Sequence, residues 1–345
     1  MPKSRISFLD AAKGFAMLSI ILGHLRIPSV NAVVYTYHVP VFLLITGYFF
    51  SRKLSVGTFA KKRLRLLMVP YFFTCAVLIL LAVLLGLRSG TSSAQLSKWS
   101  WAAVYGSGNK YQAPFEIQSI GAIWFLPASC VAAILFRCVL ELPEKWRPPV
   151  VGAVFAAGYF STAYLFWLPM SIQAGCCFVL YLYIGWLFRE NEDRIRAFSP
   201  EAKIFAVLFA ALVWFYFIRH FPSLGFYLVR NCFGNGVTDL FGSVCASGLV
   251  ILICHAIDRK TKIISRLLRF TGRYSLLVLC VHDVEHILSE YKLLGYKELM
   301  LRHMPEEIYQ YIMILYKPAV ALVLVWLLLK IPAVRRLFGY DRVNA

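Results

Sequence analysis

The chain has 345 residues, is 60% hydrophobic and only 15% charged, and has a mean hydropathy of +0.68. Soluble domains are closer to half apolar, so these values exclude a large soluble domain and point to a membrane protein. The net charge of +19 would suggest nucleic acid in a soluble protein. Here no nucleic-acid motif accompanies it, and the excess reads as cytoplasmic loops of a polytopic protein.

The first apolar stretch, about 8–27, contains Asp10, Lys13 and His24. Two charges and no small-residue cleavage site make it a retained first span rather than a cleavable signal peptide. Ionisable groups are costly in hydrocarbon, so they normally face a cavity and carry function. At 1.5 Å rise per residue, Lys13 and His24 lie about 16 Å apart along one helix. The helix thus offers a cation near one membrane face and an imidazole near the other.

Further spans are expected at about 33–50, 65–86, 119–140, 149–167, 172–188, 203–219, 237–256, 273–289 and 309–330, with 172–188 and 273–289 short. The expectation is an all-α, polytopic helix bundle of about ten transmembrane helices, forming one domain over residues 1–345. With the N-terminus cytoplasmic, 24 of the 36 Lys and Arg residues fall on the inner side and 10 on the outer. That asymmetry places both termini in the cytoplasm. His38, at the start of the second span, then shares the depth of His24. The longest outer loop, about 87–118, carries Glu116 and several aromatic residues. It suits a cover that stacks on sugar rings and equally a solvated connector. The nine cysteines show neither zinc nor disulfide spacing and read as small packing residues, with no metal expected.

These residues also resemble a known family. Arg5-Ile6-Ser7-Phe8-Leu9-Asp10-Ala11-Ala12-Lys13-Gly14 is similar to the opening R-x-x-x-L-D-x-x-[RK]-G of the integral-membrane acyltransferase-3 family, and His24 falls at its [RK]-x10-H spacing. Tyr37-His38-Val39-Pro40-Val41-Phe42, leading to Thr46-Gly47-Tyr48-Phe49, resembles the F-H-M-P-x-F-F…S-G-Y block of the fucose 4-O-acetylase-like branch. Lys61-Lys62-Arg63-Leu64-Arg65 before Pro70-Tyr71 looks like its basic loop and P-Y signature. Trp124-Phe125-Leu126 matches a W-F-L element, and Gly272-Arg273-Tyr274-Ser275-Leu276 to His282 resembles a G-x-x-S-L…H helix. The likeness covers about residues 5–330. Lys13 stands where Arg is commoner, keeping the charge but not the bidentate fork; Thr46 stands for the usual Ser; and 283–290 is unusually polar.

The resemblance implies a stand-alone sugar or polysaccharide O-acetyltransferase of a bacterial inner membrane. It would use acetyl-coenzyme A from the cytoplasm and acylate a glycan or lipid-linked sugar. His24 is the candidate general base, an imidazole with an ordinary pKa near 6.5 being suited to that role. His38 and His282 are further catalytic candidates. Asp10, Lys13, Lys61, Lys62, Arg63 and Arg65 are candidates for the donor's phosphates, and Glu116 and Trp124 for the acceptor. Each has a plainer reading. A membrane histidine hydrogen-bonds a neighbouring helix, a lysine snorkels, a basic run marks topology, and a tryptophan packs. His255, His286 and His303 carry no motif and read as structural; Asp239 opens the eighth span. Membrane lipids are expected partners, nucleic acid is not, and assembly as a homo-oligomer is compatible with such a bundle. The rival classes are a glycan transporter without acyl chemistry, a regulatory membrane subunit, and an acyltransferase for a small hydroxylated metabolite. No internal repeat of the transporter kind is evident.

Overall fold

The computed structural model describes residues 6–290 and 304–341. The expected positions Arg5 and His303 lie outside the described residues. Fifteen helices run through the described residues: α1 (Ser7–Gly23), α2 (Pro28–Val34), α3 (His38–Tyr48), α4 (Val56–Ser89), α5 (Ser92–Tyr105), α6 (Phe125–Val139), α7 (Arg147–Tyr164), α8 (Ile172–Glu190), α9 (Glu192–Arg196), α10 (Pro200–Leu224), α11 (Val237–Lys260), α12 (Ile263–Arg273), α13 (Ser275–Glu290), α14 (Glu306–Leu328) and α15 (Pro332–Leu337). Among the described residues there are no named strands, only two isolated bridges, Tyr111 to Ile117 and Tyr227 to Cys232.

A helix stands at each of the ten expected positions. Seven of the described helical segments are long and apolar enough to cross a membrane: Pro28–Tyr48, Val56–Leu87, Ala122–Val139, Pro169–Glu190, Pro200–His220, Val237–Lys260 and Glu306–Leu328. The chain is thus a multi-pass, all-helical membrane protein. The helix α1 is central rather than peripheral. Leu9, Ala11, Ala12, Ala16, Met17 and Ile21 are all buried, and α1 packs against α3, α11 and α12.

Glycines set the closest approaches. At the crossing of α1 and α12, a Cβ on Gly14 would lie 1.9 Å from the Leu268 carbonyl oxygen. At the crossing of α3 and α8, a Cβ on Gly47 would lie 2.1 Å from the Leu182 carbonyl oxygen. Small residues that let backbones touch are the usual device of membrane bundles, where apolar side chains gain little by leaving lipid. Polar contacts also tie down the link between α2 and α3: Ser19 of α1 and Tyr37 share a 2.9 Å hydroxyl contact, and Trp214 Nε1 donates to Thr36 Oγ1 at 2.9 Å.

Three local expectations are corrected. The 87–118 segment is not a continuous loop, because Ser92–Tyr105 forms a helix whose Trp99, Ala102 and Ala103 are buried against α4. Their i, i+3, i+4 spacing is a helical face. The basic run 61–65 is also not a loop. It lies on α4, which starts at Val56 with the Ser55 hydroxyl accepting from the Thr58 N–H. Finally, 259–273, counted as a basic inner loop, contains α12, whose Leu268, Thr271 and Gly272 are buried while Ile263, Arg266 and Leu267 are exposed.

Candidate active site

His24 is the residue after the last turn of α1 and caps its C-terminus. Its Nδ1 lies 2.8 Å from the Ile20 carbonyl. A carbonyl only accepts, so Nδ1 carries the proton and Nε2 keeps the lone pair. His38 repeats the arrangement at the junction of α2 and α3, with Nδ1 donating to the Val34 carbonyl at 2.7 Å. Its ring meets Tyr35 edge-on at 4.9 Å, and the Tyr35 hydroxyl donates to the Gly23 carbonyl at 3.4 Å. His38 is therefore coupled through Tyr35 to the residue preceding His24. The exposed His220 makes the same i−4 contact with Tyr216, so this bond alone does not mark a functional histidine.

What sets His24 apart is its company. Helix α13 brings His282 and His286, one turn apart, onto the end of α1. The ring centroids of His282 and His286 lie 5.0 and 4.9 Å from that of His24. Nε2 of His282 is 3.1 Å from Nδ1 of His24 and accepts a share of its proton. The His282 proton is then on its own Nδ1, a buried nitrogen without a hydrogen-bond partner among the described residues. A buried donor left unmade is costly unless a ligand or water takes it up.

Polar contacts from Asp283 and Glu285 help hold α13 in place. Asp283, fully buried, accepts from the Ala122 backbone N–H at the 3-10 turn Ala122–Trp124 that leads into α6. Glu285 forms a 3.2 Å ion pair with Lys317, whose side chains are 11% and 8% exposed. Lys317, counted by charge alone with the outer segments, lies mid-way along α14. Ionisable residues placed like this inside a bundle are expensive, and are retained where they serve a site.

The opposite end of α1 is cationic. Lys13 Nζ pairs with Asp10 at 2.8 Å. Beside them is a cavity of about 410 Å³ lined by Ser7, Asp10, Arg269, Phe270, Arg273 and Tyr274. The basic residues of α4 lie outside this lining: Lys61, Lys62 and Arg65 are exposed, and Arg63 is half-buried over the Phe59 ring at 5.2 Å. The C-terminal segment connects the two regions, with Tyr340 against Tyr274 at 5.0 Å and Gly339 beside Leu66. The two acceptor candidates are separate from the histidines in kind. Trp124 is 7% exposed and packs on Phe125 and Phe178, whereas Glu116 is exposed, 3.9 Å from Lys98.

The profile of the acyltransferase domain family, acyltransferase-3, matches residues 6–331. The chain belongs to that family. No curated protein and no solved structure matches it.

A membrane acyltransferase needs a base for the acceptor's proton and positive charge to hold an activated donor. In this acyltransferase the imidazoles and the cations occupy opposite ends of α1. Of the predicted catalytic residues, His24 and His282 are brought together, and His38 joins them through Tyr35. The structure also places His286 beside His24, and Arg269 and Arg273 on the cavity lining, positions that the sequence reading leaves as structural or topological. For His286 the available signal was its i+4 spacing from His282, which puts both on one helical face. For the arginines it was the same spacing in Arg269-Phe270-Thr271-Gly272-Arg273-Tyr274, hidden by reading the segment as a topological basic loop.

Proposed function

We propose that the protein moves an acetyl group from cytoplasmic acetyl-coenzyme A to a sugar hydroxyl of a cell-envelope glycan or glycolipid, in a bacterial inner membrane with ten spans and both termini in the cytoplasm. The observation that carries this reading is the 2.8 Å contact between His24 Nδ1 and the Ile20 carbonyl, a group that only accepts. The Nδ1–H of His24 is committed to that carbonyl, so its basic nitrogen is Nε2.

In this mechanism Nε2 of His24 takes the proton from the acceptor hydroxyl as the oxygen attacks the thioester carbonyl. The tetrahedral adduct collapses, the carbon–sulfur bond breaks, and the thiolate of coenzyme A recovers the proton from the imidazolium. The charge that develops on His24 is met by the Ile20 carbonyl and by the lone pair of His282, both of which accept from Nδ1–H. His282 and His38 keep the ring oriented and are the alternative bases. The cations of the opposite face, Lys13 on α1 with Asp10 positioning it and Lys61, Lys62, Arg63 and Arg65 on α4, draw the donor's phosphates to that end of the bundle. Glu116 and Trp124 are proposed on the acceptor side.

The test is transfer of labelled acetyl from acetyl-coenzyme A to a cell-envelope glycan fraction by the purified protein in proteoliposomes. Acetylated glycan is expected. Binding of acetyl-coenzyme A with no transfer to any hydroxylated acceptor would contradict the reading.

A further inference from the structure

The last turn of α12 is divided into two faces. Leu268, Thr271 and Gly272 are buried, and Gly272 touches the α1 backbone, where a Cβ would lie 1.8 Å from the Asp10 carbonyl oxygen. The other face carries two interleaved pairs, each at i, i+4: the cations Arg269 and Arg273, and the aromatic residues Phe270 and Tyr274. All four line the 410 Å³ cavity with Ser7 and Asp10. The Phe270 and Tyr274 rings are 5.0 Å apart, and the Arg273 guanidinium lies 5.5 Å over Tyr274.

The carboxylates nearby already have partners. Asp258 accepts from Ser7 at 2.6 Å and from Ser265, and pairs with Arg269 Nε at 3.5 Å; Asp10 pairs with Lys13 at 2.8 Å. Asp258 holds Arg269 at the rim, and Asp10 holds Lys13. Residues four apart on a helix have Cβ atoms about 5–6 Å apart, and guanidinium forks match phosphate oxygens. The backbone contact of α1 and α12 fixes these groups relative to Lys13 and, along the same helix, to His24.

We propose that this cavity holds the adenine-nucleotide end of coenzyme A, with Arg269 and Arg273 on its phosphates and the Phe270–Tyr274 pair against its base. The proposal rests on acetyl-coenzyme A being the donor. The volume suits the nucleotide and not the whole molecule, so the pantetheine arm leaves past Asp10 and Lys13 and runs along α1 toward His24. The exposed Lys61, Lys62 and Arg65 then attract the donor at long range without holding it.

Coenzyme A, 3′-dephospho-coenzyme A and pantetheine are titrated by calorimetry against the full chain in nanodiscs of zwitterionic lipid. The proteins are wild type, Arg269→Ala, Arg273→Ala, Arg273→Lys and the triple variant Lys61→Ala/Lys62→Ala/Arg65→Ala. Each arginine-to-alanine change is expected to weaken coenzyme A binding about tenfold and to leave pantetheine binding unchanged, which also reports a folded protein. At least one of them should abolish the preference for coenzyme A over its dephospho form, and Arg273→Lys should recover part of the loss. The triple variant should bind more tightly than either alanine variant. Loss of binding in the triple variant with wild-type affinity in both alanine variants would overturn the α12 site and leave the donor reading standing. No binding of coenzyme A by wild type would overturn both. Arginine variants that bind coenzyme A normally but lose affinity for added phosphatidylglycerol would make the cavity a lipid-headgroup site and overturn the proposal.

Discussion

Gly14 and Gly272 let α1 and α12 meet backbone to backbone. A Cβ on the first would lie 1.9 Å from the Leu268 carbonyl oxygen, and one on the second 1.8 Å from that of Asp10. No side-chain rotation relieves such a clash, so the helices must separate. Gly14→Ala and Gly272→Ala are each expected to destabilise the protein by about 3 kcal/mol or more, the upper end of the usual overpacking range. Gly57→Ala is the control, since nothing lies within 4 Å of the added carbon. Thermal unfolding in detergent should show a large drop for the first two and none for the third. Equal melting temperatures for all three would show that the crossing is looser than described.

The Lys317–Glu285 pair predicts a specific pattern of non-additivity. Removing one member of a buried ion pair leaves the other uncompensated, which typically costs about 3–5 kcal/mol. Lys317→Met and Glu285→Gln should each be strongly destabilising, and the double variant should be more stable than the sum of the two losses. If each single change shifts stability by less than about 0.5 kcal/mol, as at ordinary surface sites, the pair does not hold α13 to α14.

A third prediction concerns pH. Tyr48, from the end of α3, donates to Glu192 at 2.9 Å, and Glu192 also pairs with Arg189 and Arg196. Partial burial pushes the Glu192 carboxyl up, but the hydrogen bonds from Arg196 and Tyr48 and the charge of Arg189 outweigh it and hold it below its ordinary 4.5. A carboxylate lowered on folding stabilises the protein above its ordinary pKa, and that contribution disappears as the pH falls through the folded value. The difference in melting temperature between wild type and Glu192→Gln should therefore be present at neutral pH and close on acidification below 4.5. A difference that stays constant across that window would rule out the ionised carboxylate as its source.

The positions of the long helices were legible because each is an apolar run interrupted by charge. What hydropathy concealed were helices of mixed character. Helix α5 carries exposed Ser93 and Ser97 and half-buried Gln95 and Lys98 around buried Trp99 and Ala102, so its average composition is that of a loop. Helix α12 has three basic residues, Arg266, Arg269 and Arg273, with Lys262 just before it, and read as topology rather than as a lining. The site was legible in halves. The 11-residue step from Lys13 to His24 established a two-ended helix. That His286 joins His24, and that Lys317 pairs with Glu285, depends on α13 and α14 packing against each other and on α1. No spacing within a single helix contains that information.

The transfer reaction with His24→Ala tests the central claim most directly, because the account makes Nε2 of this residue the base. Labelled acetyl transfer from acetyl-coenzyme A to envelope glycan would be compared for wild type, His24→Ala and Lys13→Ala in proteoliposomes, after thermal unfolding has shown that all three are folded. His24→Ala should lower turnover by about 100-fold or more without changing donor binding, and Lys13→Ala should weaken donor binding. A folded His24→Ala protein that transfers acetyl as fast as wild type would contradict the account and pass the role of base to His38 or His282.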